Sequence, residues 1–264
     1  MRKFLLAVTV GLVAALAVAG AAFAVNTYEV SIGKASPDKA GSTKKPVPIK
    51  FDFGYKVGDT EGNRPSVISQ YFIAAEGVKY FPKARPTCTF AQADAAPKIA
   101  NPCKAATIGT GSIANAFGAA VDPTAKAGCD VKLTLINISN GPGITKKRGG
   151  IAIRIDTDPP ACPLSIHASL AAPIFDVKLG GVPSSELRFK VPDNLTHPAP
   201  GVDNSVIDVT SHLLKKTGNV KIGGKKRKVG FVSSVGKKGK KRTLRVTFVD
   251  ETGQRATATQ EIPK

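Results

Sequence analysis

The run IKFDFGYKV, Ile49 to Val57, sets Ile49, Phe51, Phe53 and Tyr55 on one face and Lys50, Asp52 and Lys56 on the other. A period of two is the mark of a half-buried strand. Runs of similar character recur along the chain: Tyr28 to Ile32, Ser66 to Ala74, Thr107 to Phe117, Asp130 to Ile138, Gly150 to Asp156 and Pro173 to Leu179. Beyond them come Ser185 to Val191, Ser205 to Leu214, Lys228 to Val235, Arg242 to Val249 and Arg255 to Ile262. Gly, Pro, Asn and Asp separate the runs, and 26 Gly and 19 Pro in 264 residues favour short strands and turns over long helices. No helical stretches alternate with the strands to build parallel crossovers. The pattern therefore predicts an all-β protein, an antiparallel multi-strand sandwich.

One short helix is expected, in TFAQADAAPKIANP between Cys88 and Cys103, with Thr89 as its N-cap and Pro97 limiting it. Residues 1–24 read as a secretory signal peptide: Arg2 and Lys3 precede an apolar run, and Ala22-Phe23-Ala24 is a cleavage site. Residues 25–48 then form an exposed segment and linker, and 49–264 the β domain, with a division into two subdomains near 157–172 left open. Export puts Cys88, Cys103, Cys129 and Cys162 in an oxidising compartment, where an even count favours disulfides. Three pairings exist. Pairing of sequence neighbours, Cys88 with Cys103 and Cys129 with Cys162, closes short loops and is the one expected, each bond stabilising by roughly 3 kcal/mol. The spacings match no zinc pattern, and no membrane span follows the signal segment.

Without Arg2 and Lys3, the 38 Lys and Arg become 36, against 19 Asp and Glu, a net charge of +17. Thirteen of these cations, and no acid, fall between Val209 and Val249, so the rest of the exported chain is only +4. The candidate anion-binding residues are Lys225, Lys226, Arg227 and Lys228 in the first run and Lys237, Lys238, Lys240, Lys241 and Arg242 in the second. Both runs surround Gly-rich turns, so their side chains are expected to project from hairpin loops toward an anionic cell-wall polymer or acidic polysaccharide. The competing reading is that charged loops keep strand edges from aggregating. Nucleic acid is disfavoured, because Phe231 and Phe248 alternate with apolar strand neighbours and offer no stacking platform.

Catalytic signatures are sparse. Ser31-Ile32-Gly33-Lys34 and Lys216-Thr217-Gly218 match two elements of serine β-lactamases, but Ser31 opens no helix and the Ser-Asp-Asn element is missing. Asp208 and His212 share a strand face yet lie about 13 Å apart at ~3.4 Å per residue, so His212 reads as a surface residue. His197 sits in a turn-rich loop with Asp193 and Asp203 nearby, which leaves a metal or proton-transfer role open, while His167 stands alone. Asp156 and Asp158 are too few to make a calcium site. No cofactor, metal or catalytic residue is assigned.

The segments EGNRPS (Glu61 to Ser66), FPKARPTC (Phe81 to Cys88), IGTGS (Ile108 to Ser112, shortly after Cys103) and HPAPGVDN (His197 to Asn204) give the chain its resemblance. Together they resemble a family of uncharacterised secreted β-rich proteins of high-GC Gram-positive bacteria. The resemblance implies an exported β domain and transfers no activity. TLRVTFVDETGQRATATQEI, at the C-terminal end, resembles the terminal hairpin of bacterial immunoglobulin-like modules. The function expected is that of a secreted, non-enzymatic cell-envelope or extracellular protein binding anionic polymer through basic loops 215–245. The alternative is a secreted hydrolase acting on polysaccharide, which needs two carboxylates converging in a cleft.

Overall fold

The computed structural model describes residues 26–33, 41–95, 101–145, 147–236 and 242–262. The signal segment 1–24, residues 34–40 of the linker, Pro97, and Lys237, Lys238, Lys240 and Lys241 lie outside the described residues. The strands in chain order are β1 (Asn26–Ile32), β2 (Val47–Pro48), β3 (Phe51–Asp59), β4 (Ile68–Ala75) and β5 (Val78–Tyr80). A 3₁₀ turn (Pro82–Ala84) and the helices α1 (Phe90–Asp94) and α2 (Asn101–Ala106) lead to β6 (Thr107–Ala119), β7 (Ala127–Ile138), β8 (Gly150–Thr157), β9 (Ile166–Leu179) and β10 (Val182–Lys190). The chain continues through α3 (Asp193–Thr196), β11 (Val202–Leu213), β12 (Thr217–Ile222), β13 (Lys225–Gly230), β14 (Val232–Ser234), β15 (Arg242–Asp250) and β16 (Arg255–Ile262).

Eleven strands form one antiparallel ladder, in the order β1-β3-β11-β6-β7-β8-β9-β10-β4-β15-β16. Its end strands β1 and β16 pack against each other, and the Tyr28 ring of β1 lies 4.6 Å from Phe248 of β15. The expected sandwich is thus corrected to a nearly closed barrel. Alternation of apolar and polar residues marks one buried face, and that face looks the same whether a sheet packs on a second sheet or curls on itself. Strands of 12 to 14 residues in β6, β7, β9 and β11 give this ladder the length to coil. The ladder runs unbroken through residues 157–172, where β8 pairs with β9, and it includes β1, which pairs with β3.

The interior is built by the predicted faces. Phe51, Phe53, Tyr55 and Val57 of β3 are 1%, 6%, 5% and 1% exposed, and they meet Leu133, Leu170, Phe189 and Phe248 in one cluster. Two small apolar cavities of about 50 and 60 Å³ remain inside. A second core lies outside the barrel. Ile136 and Ile138 point outward from β7, and Ala93, Cys88, Cys103 and Ala106 cover them as a cap.

The cap was legible in part. Thr89 caps α1 as expected, its side chain accepting from the Gln92 N–H while Gln92 accepts from the Thr89 N–H. The helix expected between Cys88 and Cys103 is α1; α2, which carries Cys103 itself, and α3 are further short helices. Both expected disulfides are present, Cys88–Cys103 with Cα atoms 5.3 Å apart and Cys129–Cys162 with Cα atoms 4.1 Å apart. They fit an oxidising compartment. No helix among the described residues is long and apolar enough to cross a membrane.

Candidate anion-binding groove

Asn137, fully buried near the end of β7, fixes one wall of a wide surface groove. Its Nδ2 donates to the carbonyls of Pro82 at 2.9 Å, Pro86 at 3.0 Å and Arg85 at 3.3 Å. Backbone bonds from Cys88 to Asn137 and from Ser139 to Cys88 clip the same segment to the barrel. FPKARPTC therefore crosses the outer surface as a rigid strap rather than a loose loop. The loop before β8 and the end of β9 make the opposite wall.

The hairpin β12–β13 closes a third side through Val220. Its turn is Gly223–Gly224, with φ of 55° and 78°, a two-residue connection that needs the left-handed region at both positions. Gly218 lets the hairpin lie on the strap: a Cβ there would come 1.8 Å from the Ala84 carbonyl oxygen.

The resulting groove encloses about 950 Å³ and is strongly basic. Lys79, Lys83, Arg85, Lys147 and Arg148 line it, against one lining carboxylate, Asp176. Asp176 is already engaged, 2.8 Å from the Lys79 ammonium. Arg85 donates through Nη2 to the Ala105 carbonyl at 3.1 Å, while its buried Nε has no partner. Arg148 donates to the Gly143 carbonyl at 3.3 Å, and its guanidinium carbon lies 4.1 Å from the centroid of Phe175. Five cations on one concave surface concentrate positive potential and favour an anion.

The first predicted basic run borders this groove, though not as a loop. Lys225, Lys226, Arg227 and Lys228 lie along strand β13. Arg227 is opposite Val220 and Lys225 opposite Ile222, so both share the groove-side face of the hairpin, and the Arg227 Nε is buried without a partner. Lys226 and Lys228, opposite Lys221 and Asn219, are on the outer face. Of the second run Arg242 is the described member: it is 7% exposed and donates to Ser234 Oγ at 2.9 Å, so it does not project from a loop. Lys216 donates to the Thr107 carbonyl at 2.8 Å.

The lining cations Lys79, Lys83, Arg85, Lys147 and Arg148 were not singled out from the sequence. The KKR cluster at 146–148 and the Pro-flanked KAR at 83–85 were the signals for most of them, each too short to rank beside the 215–245 runs.

The histidines lie elsewhere. His212 is half exposed and faces Asp52 at 3.3 Å, while Asp208 pairs with Lys56 at 3.7 Å. His167 is not alone: Nδ1 lies 3.0 Å from Asp156 and Nε2 3.4 Å from Asp158. His197 contacts Asp203 at 3.1 Å and Glu251 at 2.5 Å, and Asp203 also meets the buried Arg64 at 3.3 Å. Among the described residues no group of three His, Cys, Asp or Glu side chains is placed to hold a metal ion. Compared with known proteins, the chain matches no family model and no curated sequence.

Proposed function

We propose that this chain is an exported, non-enzymatic envelope or extracellular protein whose barrel holds an anionic polymer in the basic groove. The observation that carries this reading is the charge of the lining: five cationic side chains and one carboxylate, that carboxylate already paired with Lys79. The groove is walled by the strap, the β8–β9 face and the hairpin, so the basic run at 225–228 contributes through Arg227 and Lys225 rather than through loop tips. A retaining or inverting glycosidase needs two carboxylates roughly 5 to 10 Å apart across a cleft. Among the described residues the groove lining offers Asp176.

The test is retention of the disulfide-bonded protein on purified anionic cell-wall polymer. Retention is expected to fall steeply with added salt, and Lys83→Gln with Lys147→Gln to weaken it by about tenfold. Salt-insensitive retention, or retention indifferent to both substitutions, contradicts the reading.

A further inference from the structure

We propose that the binding surface continues out of the groove across the barrel wall, as a ladder of alternating arginine and phenylalanine side chains that holds a linear phosphodiester-linked polymer. The inference rests on the groove reading and names the class of its ligand. Arg148 and Phe175 line the groove and begin the ladder. Arg188 lies 4.1 Å from the same Phe175 ring and 5.7 Å from Phe72, and Arg255 lies 4.9 Å from Phe72. Phe175 stands on β9, while Arg148 approaches from the loop before β8 and Arg188 from β10. The two guanidinium groups therefore flank the ring from opposite neighbours. From β8 to β16 the row crosses six adjacent strands, about 24 Å at ~4.8 Å per spacing.

The charges along this row are unbalanced. Arg148 and Arg255 are exposed, Arg188 and Arg245 are 38% and 39% exposed at the side chain, and the carboxylate among them is Glu186, 7% exposed. Glu186 takes Arg188 Nε at 2.5 Å and Arg245 Nη2 at 3.3 Å, so one acid beneath the row orients two guanidinium groups. A ring holds a guanidinium by its flat face, and the N–H groups not bound to Glu186 or to the Gly143 carbonyl remain to meet a ligand. Those groups match phosphate oxygens in pairs, and a side chain already held upright loses less freedom on binding.

The same stacking decides the ligand. Arg148 and Arg188 each lie 4.1 Å from the Phe175 centroid, and Arg188 and Arg255 lie 5.7 and 4.9 Å from that of Phe72, so a pyranose or a nucleobase stacking on either ring meets a guanidinium already there. A flexible chain without rings, bearing a phosphate at each repeat, needs only the charged edges. The row's length suits several repeats at once, whereas the groove alone accommodates a short piece.

The experiment measures binding of the disulfide-bonded protein to long poly(glycerol phosphate), to a short glycerol phosphate oligomer, and to polygalacturonate of matched charge. Arg188→Gln with Arg255→Gln is expected to weaken long-chain binding by about tenfold and leave the short oligomer unaffected. The slope of log affinity against log salt should fall by about 1.4, ~0.7 per lost contact. Phe72→Leu keeps every charge and is expected to cost about threefold on the long chain, with the slope unchanged. Thermal melts verify that each variant is folded.

If Lys83→Gln with Lys147→Gln weakens binding while the ladder variants do not, the ladder is refuted and the groove reading survives. Equal or tighter binding of polygalacturonate overturns the phosphodiester assignment. No binding to any of the three polymers overturns both readings.

Discussion

His197 and Glu251 are joined by a 2.5 Å hydrogen bond from Nε2 to Oε1, which pins the β15–β16 turn to the segment after α3. The other nitrogen, Nδ1, lies 3.1 Å from Asp203. Both contacts are made at once only by the protonated ring, which has two N–H donors. Partial burial pushes the His197 pKa down, but the bonds and charges of Glu251 and Asp203 outweigh it and the net shift is upward. A raised folded pKa means a stabilising contribution present in full below the unfolded value near 6.5 and lost as pH rises through the folded value. The melting temperature of the parent should therefore exceed that of His197→Gln most clearly near pH 6, and the gap should close toward pH 9. A gap constant over that range would refute the linkage.

How much of this was legible in the sequence depends on the range of the interaction. Alternation found β3 and β15 with their buried faces, and the positions of β7 and β16, because the period of a strand is a local property. The first half of β9, IHASLAA, was missed because Ala168, Ala171 and Ala172 carry little strand signal; Ala171 packs against the cap, while Ala168 and Ala172 face the barrel interior. Closure into a barrel was invisible for the reason given above. The groove was hidden by distance: Lys79 and Arg148 are ordinary charges until Asn137 fixes the strap and β9 brings Asp176 beside Lys79. Two segments that carried the resemblance do meet, through Arg64 and Asp203, 139 residues apart in the chain. The sequence contains both residues but no signal that pairs them.

Arg154 is fully buried on the outer face of β8 and ties α1 to the wall. Its Nε donates to Asp156 at 2.8 Å, and Nη1 donates to the Ala95 carbonyl at 3.1 Å. Arg154→Leu should destabilise the protein by about 3 kcal/mol at pH 7, since it strands Asp156 and the carbonyls at the end of α1. Burial raises the Asp156 pKa, but the hydrogen bonds and charges of Arg154 and His167 outweigh it, and the net shift is downward. A depressed carboxylate stabilises above its unfolded pKa and ceases to do so as pH falls through the folded value. Urea unfolding of parent and variant should therefore differ less at pH 3 than at pH 7. An equal difference at both would show that Asp156 contributes nothing to the tie.

Tyr71 is 1% exposed at the heart of the barrel, its ring stacked 5.1 Å from Phe189 and edge-on to Phe248 at 5.8 Å. Its buried hydroxyl has no hydrogen-bond partner, and burial, with smaller contributions from Tyr55 and Tyr28, holds its pKa far above the usual range. Tyr71→Phe keeps the ring contacts and removes a polar atom that lost its water on folding. The substitution should raise stability by about 1 kcal/mol in urea unfolding. Tyr28→Phe is the contrasting case, because the Tyr28 hydroxyl accepts from Asn26 Nδ2 at 3.2 Å and its loss should lower stability by roughly 0.5–1 kcal/mol. Destabilisation of Tyr71→Phe by as much as Tyr28→Phe would mean that the Tyr71 hydroxyl is satisfied.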